Sequence, residues 1–342
     1  MNGIQRVIIF SLVGFVLSSF SVIAETTSQN AQSMLSKLGY KIAVDGNWGP
    51  QSDSIISQFY MERGQAYDGN LDGNEIKDLK LAAKSKIQGK FTIGGILLER
   101  SLNDTPWGYT RSTEFVRAGK KSQRFEVRPG DCGVGSTWSD CANDRERSEL
   151  TGKEGWVPGA NKWLAASIYI PEDFPSFPGL GTTIFQIHQK DGPVGIIHGF
   201  ESHPNIMEIK IDGGVNGGNI NANIHKTYGE FNNVKETDLT IRLLSLKEAR
   251  GKWVDYMINF DTSNGNQNLS YYINGKFIGE TGKFTKFVPS KYVFKYGIYN
   301  GFMKTKRGPD FPLPIRIIYH DEIRIGNSRE AVEITDDGKP VD

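Results

Sequence analysis

The stretch Leu269-Ser270-Tyr271-Tyr272-Ile273-Asn274-Gly275-Lys276-Phe277-Ile278 decides the fold. Aromatic and branched residues flank an Asn-Gly pair, and Asn-Gly supplies the two positive φ angles that a two-residue type I′ turn requires. The stretch therefore reads as an antiparallel hairpin. Similar short runs, bounded by Gly, Asn, Asp and Pro, recur at 124–128, 163–170, 183–188, 206–211, 253–260, 294–299 and 315–325. With no segment of helical length and period between 91 and 332, this spacing predicts an all-β antiparallel sandwich of jelly-roll type.

Upstream the period changes. Met34, Leu35 and Leu38, then Ile55, Ile56 and Phe59, then Leu79 and Leu81 recur at helical spacing between glycine-bearing turns, which predicts a small α-helical unit over 31–87. Further upstream, Arg6 precedes an apolar run over 7–17, and Val22-Ile23-Ala24 precedes Glu25, the pattern of a cleaved secretory signal over 1–24. No later segment approaches the roughly 18 apolar residues that a membrane span needs. The expected location is periplasmic or secreted.

Composition narrows the class. The 342 residues are 38% hydrophobic and 23% charged, with 39 Gly, which excludes disorder, collagen-like repeats and a multi-span membrane protein. Arg6 is the only charged residue in 1–24, so the remainder holds 39 basic against 39 acidic residues. That balance gives no sign of nucleic-acid binding. Cys132 and Cys141 are the only two cysteines. In an exported chain so close a pair is expected to form one disulfide clasping a loop rather than a metal site.

Three polar strings interrupt the apolar runs. In Gln186-Ile187-His188, Gln186 and His188 project from one strand face while Phe185 and Ile187 face the other way. In Lys295-Tyr296-Gly297-Ile298-Tyr299, Lys295, Gly297 and Tyr299 share a face, with Gly297 read as an opening between a cation and a phenol. In Arg145-Glu146-Arg147-Ser148-Glu149-Leu150, Arg145, Arg147 and Glu149 share a face, so that Glu149 can hold an arginine as a fork toward an anionic ligand.

In this order, with Arg128-Pro129-Gly130-Asp131 before the first, the strings R-x-E-L, Q-x-H and K-x-G-I-Y resemble those of jelly-roll (concanavalin A-like) polysaccharide lyases. Heparin lyase I, glucuronan lyase and the alginate lyases of the same architecture carry similar strings. The resemblance spans about 92–332 and implies β-elimination on a 4-O-linked uronate in an acidic polysaccharide. Alginate lyases usually place another Arg directly after R-x-E-L, where this chain has Thr151, so the heparin and glucuronan side is the closer match. Resemblance and strand geometry together assign Arg147 and Gln186 to the uronate carboxylate, His188 to base or charge stabiliser, and Tyr299 to base, acid or both. A free phenol titrates near 10, so Tyr299 needs a cation, for which Lys295 is the expected source. Lys295 and Arg145 are the further substrate-binding candidates.

The string Leu38-Gly39-Tyr40 followed by Val44-Asp45-Gly46-Asn47-Trp48-Gly49-Pro50 resembles the bacterial peptidoglycan-binding-like domain and implies a peptidoglycan partner for 31–87. The second Asp-Gly turn, Asp68-Gly69, lacks the usual Gly-Pro. Among the other histidines, His198 and His203 fall in a loop region, His225 is a subsite candidate and His320 reads as structural. No zinc-type His or Cys spacing and no EF-hand spacing occurs, so no cofactor is called for, with calcium in Asp or Asn loops left open. Two other functions fit the same sandwich. A noncatalytic lectin needs no Tyr and Lys beside a Q-x-H strand, and a glycoside hydrolase needs a carboxylate pair, while the E-x-D-x-x-E string of jelly-roll glucanases is absent.

Overall fold

The computed structural model describes residues 27–341 except 39, 62–65, 88–89, 103–104, 136–137, 191–204, 215–216, 231–232, 266, 285–288 and 304–313. The expected leader over 1–24 and both His198 and His203 lie outside the described residues. No described helix is long and apolar enough to cross a membrane.

The helical pattern of the first unit becomes α1 (Thr27–Leu38), α2 (Pro50–Met61) and α3 (Gly73–Ile87). Ala31, Leu35, Ile56, Phe59 and Leu79 form a core of their own, separate from that of the sheets. The Val44-Asp45-Gly46-Asn47 turn is fixed by one buried amide. Gln32 Nε2 donates to Asp45 Oδ1 at 3.0 Å and to the Asn47 carbonyl at 2.9 Å, and Gln32 Oε1 accepts from the Gly46 amide at 2.8 Å. Gly46 takes φ 79°, which an L side chain rarely adopts.

From Lys90 onward the chain is strands. β1 (Lys90–Ile93), β2 (Ile96–Ser101), β3 (Tyr109–Ser112), β4 (Ser122–Val127), β5 (Arg145–Gly152), β6 (Asn161–Tyr169), β7 (Gly181–Lys190) and β8 (Asn205–Asp212) come first. They are followed by β9 (Asn219–Glu230), β10 (Asn233–Ser245), the one-turn α4 (Leu246–Ala249), β11 (Trp253–Asp261), β12 (Asn268–Ile273), β13 (Lys276–Glu280), β14 (Lys291–Gly301) and β15 (Arg316–Gly326). The front sheet runs β1-β2-β5-β14-β7-β8-β9-β10 and the back sheet β13-β12-β11-β6-β15-β4-β3, with every strand pairing antiparallel. From Lys90 onward the chain is an antiparallel β-sandwich of jelly-roll type. Asn274 and Gly275 turn β12 into β13 with φ 48° and 75°, as the hairpin reading requires.

Alternate residues of each strand fill the space between the sheets: Phe185 and Ile187 of β7, Ile220, Ala222 and Ile224 of β9, Tyr292, Phe294, Tyr296 and Ile298 of β14. Each isoleucine or phenylalanine among them contributes about 1.5–3 kcal/mol by leaving water. β9 and β10 are the longest strands, yet β10 gave no clear strand signal in the sequence. Its core-packed residues Leu239, Ile241, Leu243 and Leu244 lie in the second half of the strand, where Asp238, Thr240 and Arg242 face solvent rather than a second layer. Two buried polar contacts cross the sandwich: Tyr296 Oη donates to Gln123 Oε1 at 2.7 Å, and Arg316 pairs with Glu146.

His320 of β15 is fully buried among the rings of Phe125, Tyr256 and Tyr296, which bears out its structural reading. Desolvation pushes its pKa down to about 3, only partly opposed by the Gly297 backbone. A depressed histidine stabilises the fold fully above the unfolded value near 6.5 and loses that contribution as pH falls toward 3. Neighbouring Asp321 works in the opposite sense, since burial raises its pKa to about 6. Comparison with a variant therefore isolates His320. Relative to wild type, His320→Phe should gain about 1.4 kcal/mol in unfolding free energy per pH unit between pH 6 and 4, measured by urea titration. A pH-independent difference would refute the assignment.

Candidate active site

The three polar strings, more than 140 residues apart at their extremes, fall on three adjacent strands of the front sheet. β14 lies in the middle with β5 on one side and β7 on the other. Register places Tyr299 opposite Arg147, Gly297 opposite Glu149, Lys295 opposite Gln186 and Val293 opposite His188. Because the other face of each strand feeds the core, Arg147, Gln186, His188, Lys295 and Tyr299 all open onto the outer face of this sheet.

Gly297 does not leave an opening there, contrary to the sequence reading. The β7 pairing slips between Tyr296 and Tyr299, a β-bulge, and Gly297 takes φ 132°. A Cβ at this position would collide with the Ser148 carbonyl oxygen and the Phe125 ring, that is, with the neighbouring strand and the core. The glycine permits close approach, and the bulge aims Tyr299.

Glu149 is the hub. Its Oε2 accepts from Arg147 Nη1 at 3.0 Å and its Oε1 accepts from Gln186 Nε2 at 2.5 Å, all three side chains being buried. The remaining edge of the Arg147 guanidinium is occupied by Asp140: Nε donates to Oδ2 at 2.6 Å and Nη2 to Oδ1 at 2.8 Å. Arg147 also reaches Ser101 Oγ at 3.4 Å, and its Cζ lies 4.5 Å from the centroid of the Tyr299 ring. Arg145 turns outward instead, donating to the Asn143 carbonyl at 2.8 Å and stacking on exposed Phe302 at 4.1 Å.

Electrostatics follow from burial. Desolvation raises the Tyr299 phenol above its usual value, Glu149 and Asp140 reinforce that rise, and Arg147 and Arg145 oppose it. The cation that lies against the phenol is thus Arg147, not Lys295 as the sequence suggested. Lys295 is itself pushed down to about 8 by desolvation, helped by Arg147 and Lys190 and resisted by Glu149 and Asp140.

The face continues across the sheet beyond these strings. A row in direct register runs Arg147, Tyr299, Thr183, Lys210, Asn221, Arg242 over six consecutive strands. Glu208 accepts from Thr183 Oγ1 at 2.5 Å and from Lys210 Nζ at 3.4 Å, and the absent side chain of Gly181 makes room for the Lys210 stem. His225 sits on the same face, 2.8 Å from Asp238. Sequence reasoning missed Asp140, Lys210 and Arg242. Period two over 206–211 already places Lys210 on the polar face, whereas nothing local marks Asp140 except its position before Cys141. The expected disulfide Cys132–Cys141 is formed.

Residues 77–324 match the polysaccharide lyase family. No curated protein sequence matches the chain. An endo-β-1,4-glucuronan lyase from the fungus Trichoderma reesei superposes with a TM-score of 0.51 at 14% identity, over 66% of this chain and 88% of that one. An alginate lyase from Pseudomonas aeruginosa superposes with a TM-score of 0.40 at 19% identity, over 64% and 88%. At 14% identity the glucuronan lyase shows a likeness of fold, while the family match covers well over half of the 342 residues and rests on sequence. The chain belongs to the polysaccharide lyase family.

Proposed function

We propose that this lyase cleaves a 4-O-linked uronate chain, glucuronan-like in preference to alginate- or heparin-like, by β-elimination. The observation that carries the reading is the convergence of Arg147, Gln186, His188 and Tyr299 on one face of three adjacent strands. Elimination requires neutralisation of the uronate carboxylate, a base for the C5 proton and an acid for O4. The C5–H bond breaks, its electron pair forms the C4=C5 double bond, and the C4–O4 bond breaks as O4 takes a proton. Gln186 and the positive charge of Arg147, whose fork is held by Asp140 and Glu149, neutralise the carboxylate, which acidifies C5. Tyr299 exchanges the proton, and His188 serves as base or charge stabiliser. Lys295 contributes positive charge to substrate binding, and Arg145 stands at the rim.

Polymer binding is supported by the six-strand row. Strands stand about 4.8 Å apart, close to the advance of one 1,4-linked pyranose ring, so Lys210 and Arg242 lie two and four strands from Tyr299. Residues 111–342 hold 30 basic and 29 acidic residues, far from the excess suited to a densely sulfated polymer. Export is supported by the leader-like 1–24 segment and by the disulfide. The helical unit over 31–87 serves in this reading as a tether to envelope glycan.

Tyr299→Phe removes one oxygen and leaves the ring on Arg147, so glycan binding should persist while turnover falls by about 100-fold or more. Turnover is followed by the ultraviolet absorbance of the C4=C5 double bond conjugated to the carboxylate. Wild-type rates in Tyr299→Phe on the best polyuronate would exclude the mechanism. The Lys295 ammonium is charged below about pH 8 and neutral above it. KM for a polyuronate should therefore rise as pH passes upward through 8, and Lys295→Arg should abolish that rise, because arginine stays charged. Finally, the intact protein should sediment with isolated peptidoglycan and a chain starting near Gln88 should not, while both retain lyase activity. An intact protein that stays in solution would disprove the tether.

A further inference from the structure

Asp140 is a wholly buried carboxylate with no role in the reading above, and its surroundings are built to hold it still. Its backbone amide donates to the Gly133 carbonyl at 2.8 Å, and its own carbonyl accepts from the Arg145 amide at 2.8 Å. Its Oδ1 accepts from Trp138 Nε1 at 2.9 Å in addition to Arg147. The next residue is Cys141, bonded to Cys132, so the loop that carries Asp140 is closed covalently. Asp140 accepts two parallel hydrogen bonds from one edge of the Arg147 guanidinium, and Glu149 accepts from another. A planar fork held at two edges has one orientation left. In that orientation its Cζ lies over the Tyr299 ring, 4.5 Å from the centroid.

We propose that Asp140 is a positioning residue for catalysis: the Cys132–Cys141 loop delivers its carboxylate, which holds the Arg147 guanidinium over the Tyr299 ring. The inference rests on the proposed role of Tyr299. The charged groups that act on the phenol are Arg145, Arg147 and Glu149 of β5 and Asp140 of the loop, and the same face carries Lys295 of β14 and His188 of β7. Of these, Arg147 is the cation in contact with the ring, and Asp140 has two effects on it. Its own charge disfavours the phenolate, while its grip keeps the guanidinium where it favours the phenolate most. Asparagine at 140 removes the first effect and keeps one acceptor of the second. Alanine removes both and releases the fork. The disulfide enters as scaffolding, because opening it frees Asp140 at its neighbouring residue.

The test uses the full chain, folded and oxidised, with absorbance of the unsaturated product as readout on a polyuronate. In Asp140→Ala, kcat should fall by about 100-fold, the scale of a catalytic group displaced by roughly an ångström. KM should change little, and the acid limb of the kcat/KM profile should move to higher pH. In Asp140→Asn the loss should be smaller and the acid limb should move the other way or stay. Reduction of the folded wild type, and the Cys132→Ser/Cys141→Ser variant, should reproduce the alanine pattern in weaker form. Circular dichroism confirms folding, and Asp140→Asn together with the reduced wild type supplies the result where the alanine variant fails to fold. A folded variant with wild-type kcat and an unmoved limb overturns the inference. So does a rise in KM alone, which would mean that Arg147 is held for substrate binding and not for Tyr299. A wild type that never raises the absorbance would instead refute the elimination mechanism of the proposed function.

Discussion

The Glu149 carboxylate is the contact on which the working face of this protein depends. It is buried, and one of its oxygens binds Arg147 of its own strand while the other binds Gln186 of β7 across the intervening β14. A buried carboxylate without partners costs several kcal/mol, and removing one member of such a cluster typically costs about 3–5 kcal/mol. The register of three strands is therefore tied to the hydrogen bonding of one side chain. Slipping any of the three by one residue would turn Arg147, Gln186 or Tyr299 into the core.

That constraint explains why the face is polar yet rigid. Arg147 brings one positive charge into contact with two carboxylates, Asp140 and Glu149, and the local excess of negative charge is met by Lys295. Groups that would cost the fold dearly if unpaired thus sit on the outer face that the proposed function assigns to a uronate carboxylate. The same low polarity that strengthens their attraction for one another also sharpens their effect on Tyr299 and Lys295. The core beneath contributes a second requirement. Gly297 allows β14 to approach Ser148 and Phe125, and the bulge so formed aims Tyr299.

Local sequence revealed much of this. The period-two runs and the Asn-Gly turn specified strands and their antiparallel pairing, and the spacing of Gln186, His188, Lys295 and Tyr299 specified which side chains share a face. The helical period separated the first unit, whose core is independent of the sheets. β10 was less legible, because a strand with one solvent-facing side and few outward apolar residues resembles a polar loop when read alone. Gly297 was legible as a glycine and misread in its purpose, since period two assumes a regular strand and a bulge breaks it.

What the sequence by itself determined, then, is the set of side chains offered to the outer face and the polysaccharide lyase strings that carry them. The tertiary structure alone decided which of them touch. Arg147 lies against Tyr299 although Lys295 stands nearer to it in the chain, because cross-strand register brings opposite residues within about 5 Å, whereas residues four apart along one strand stand about 13 Å apart. Asp140 enters from a disulfide-closed loop that no strand period describes. Its partner is fixed by where the chain returns in space, and spacing along the chain carries no information about that.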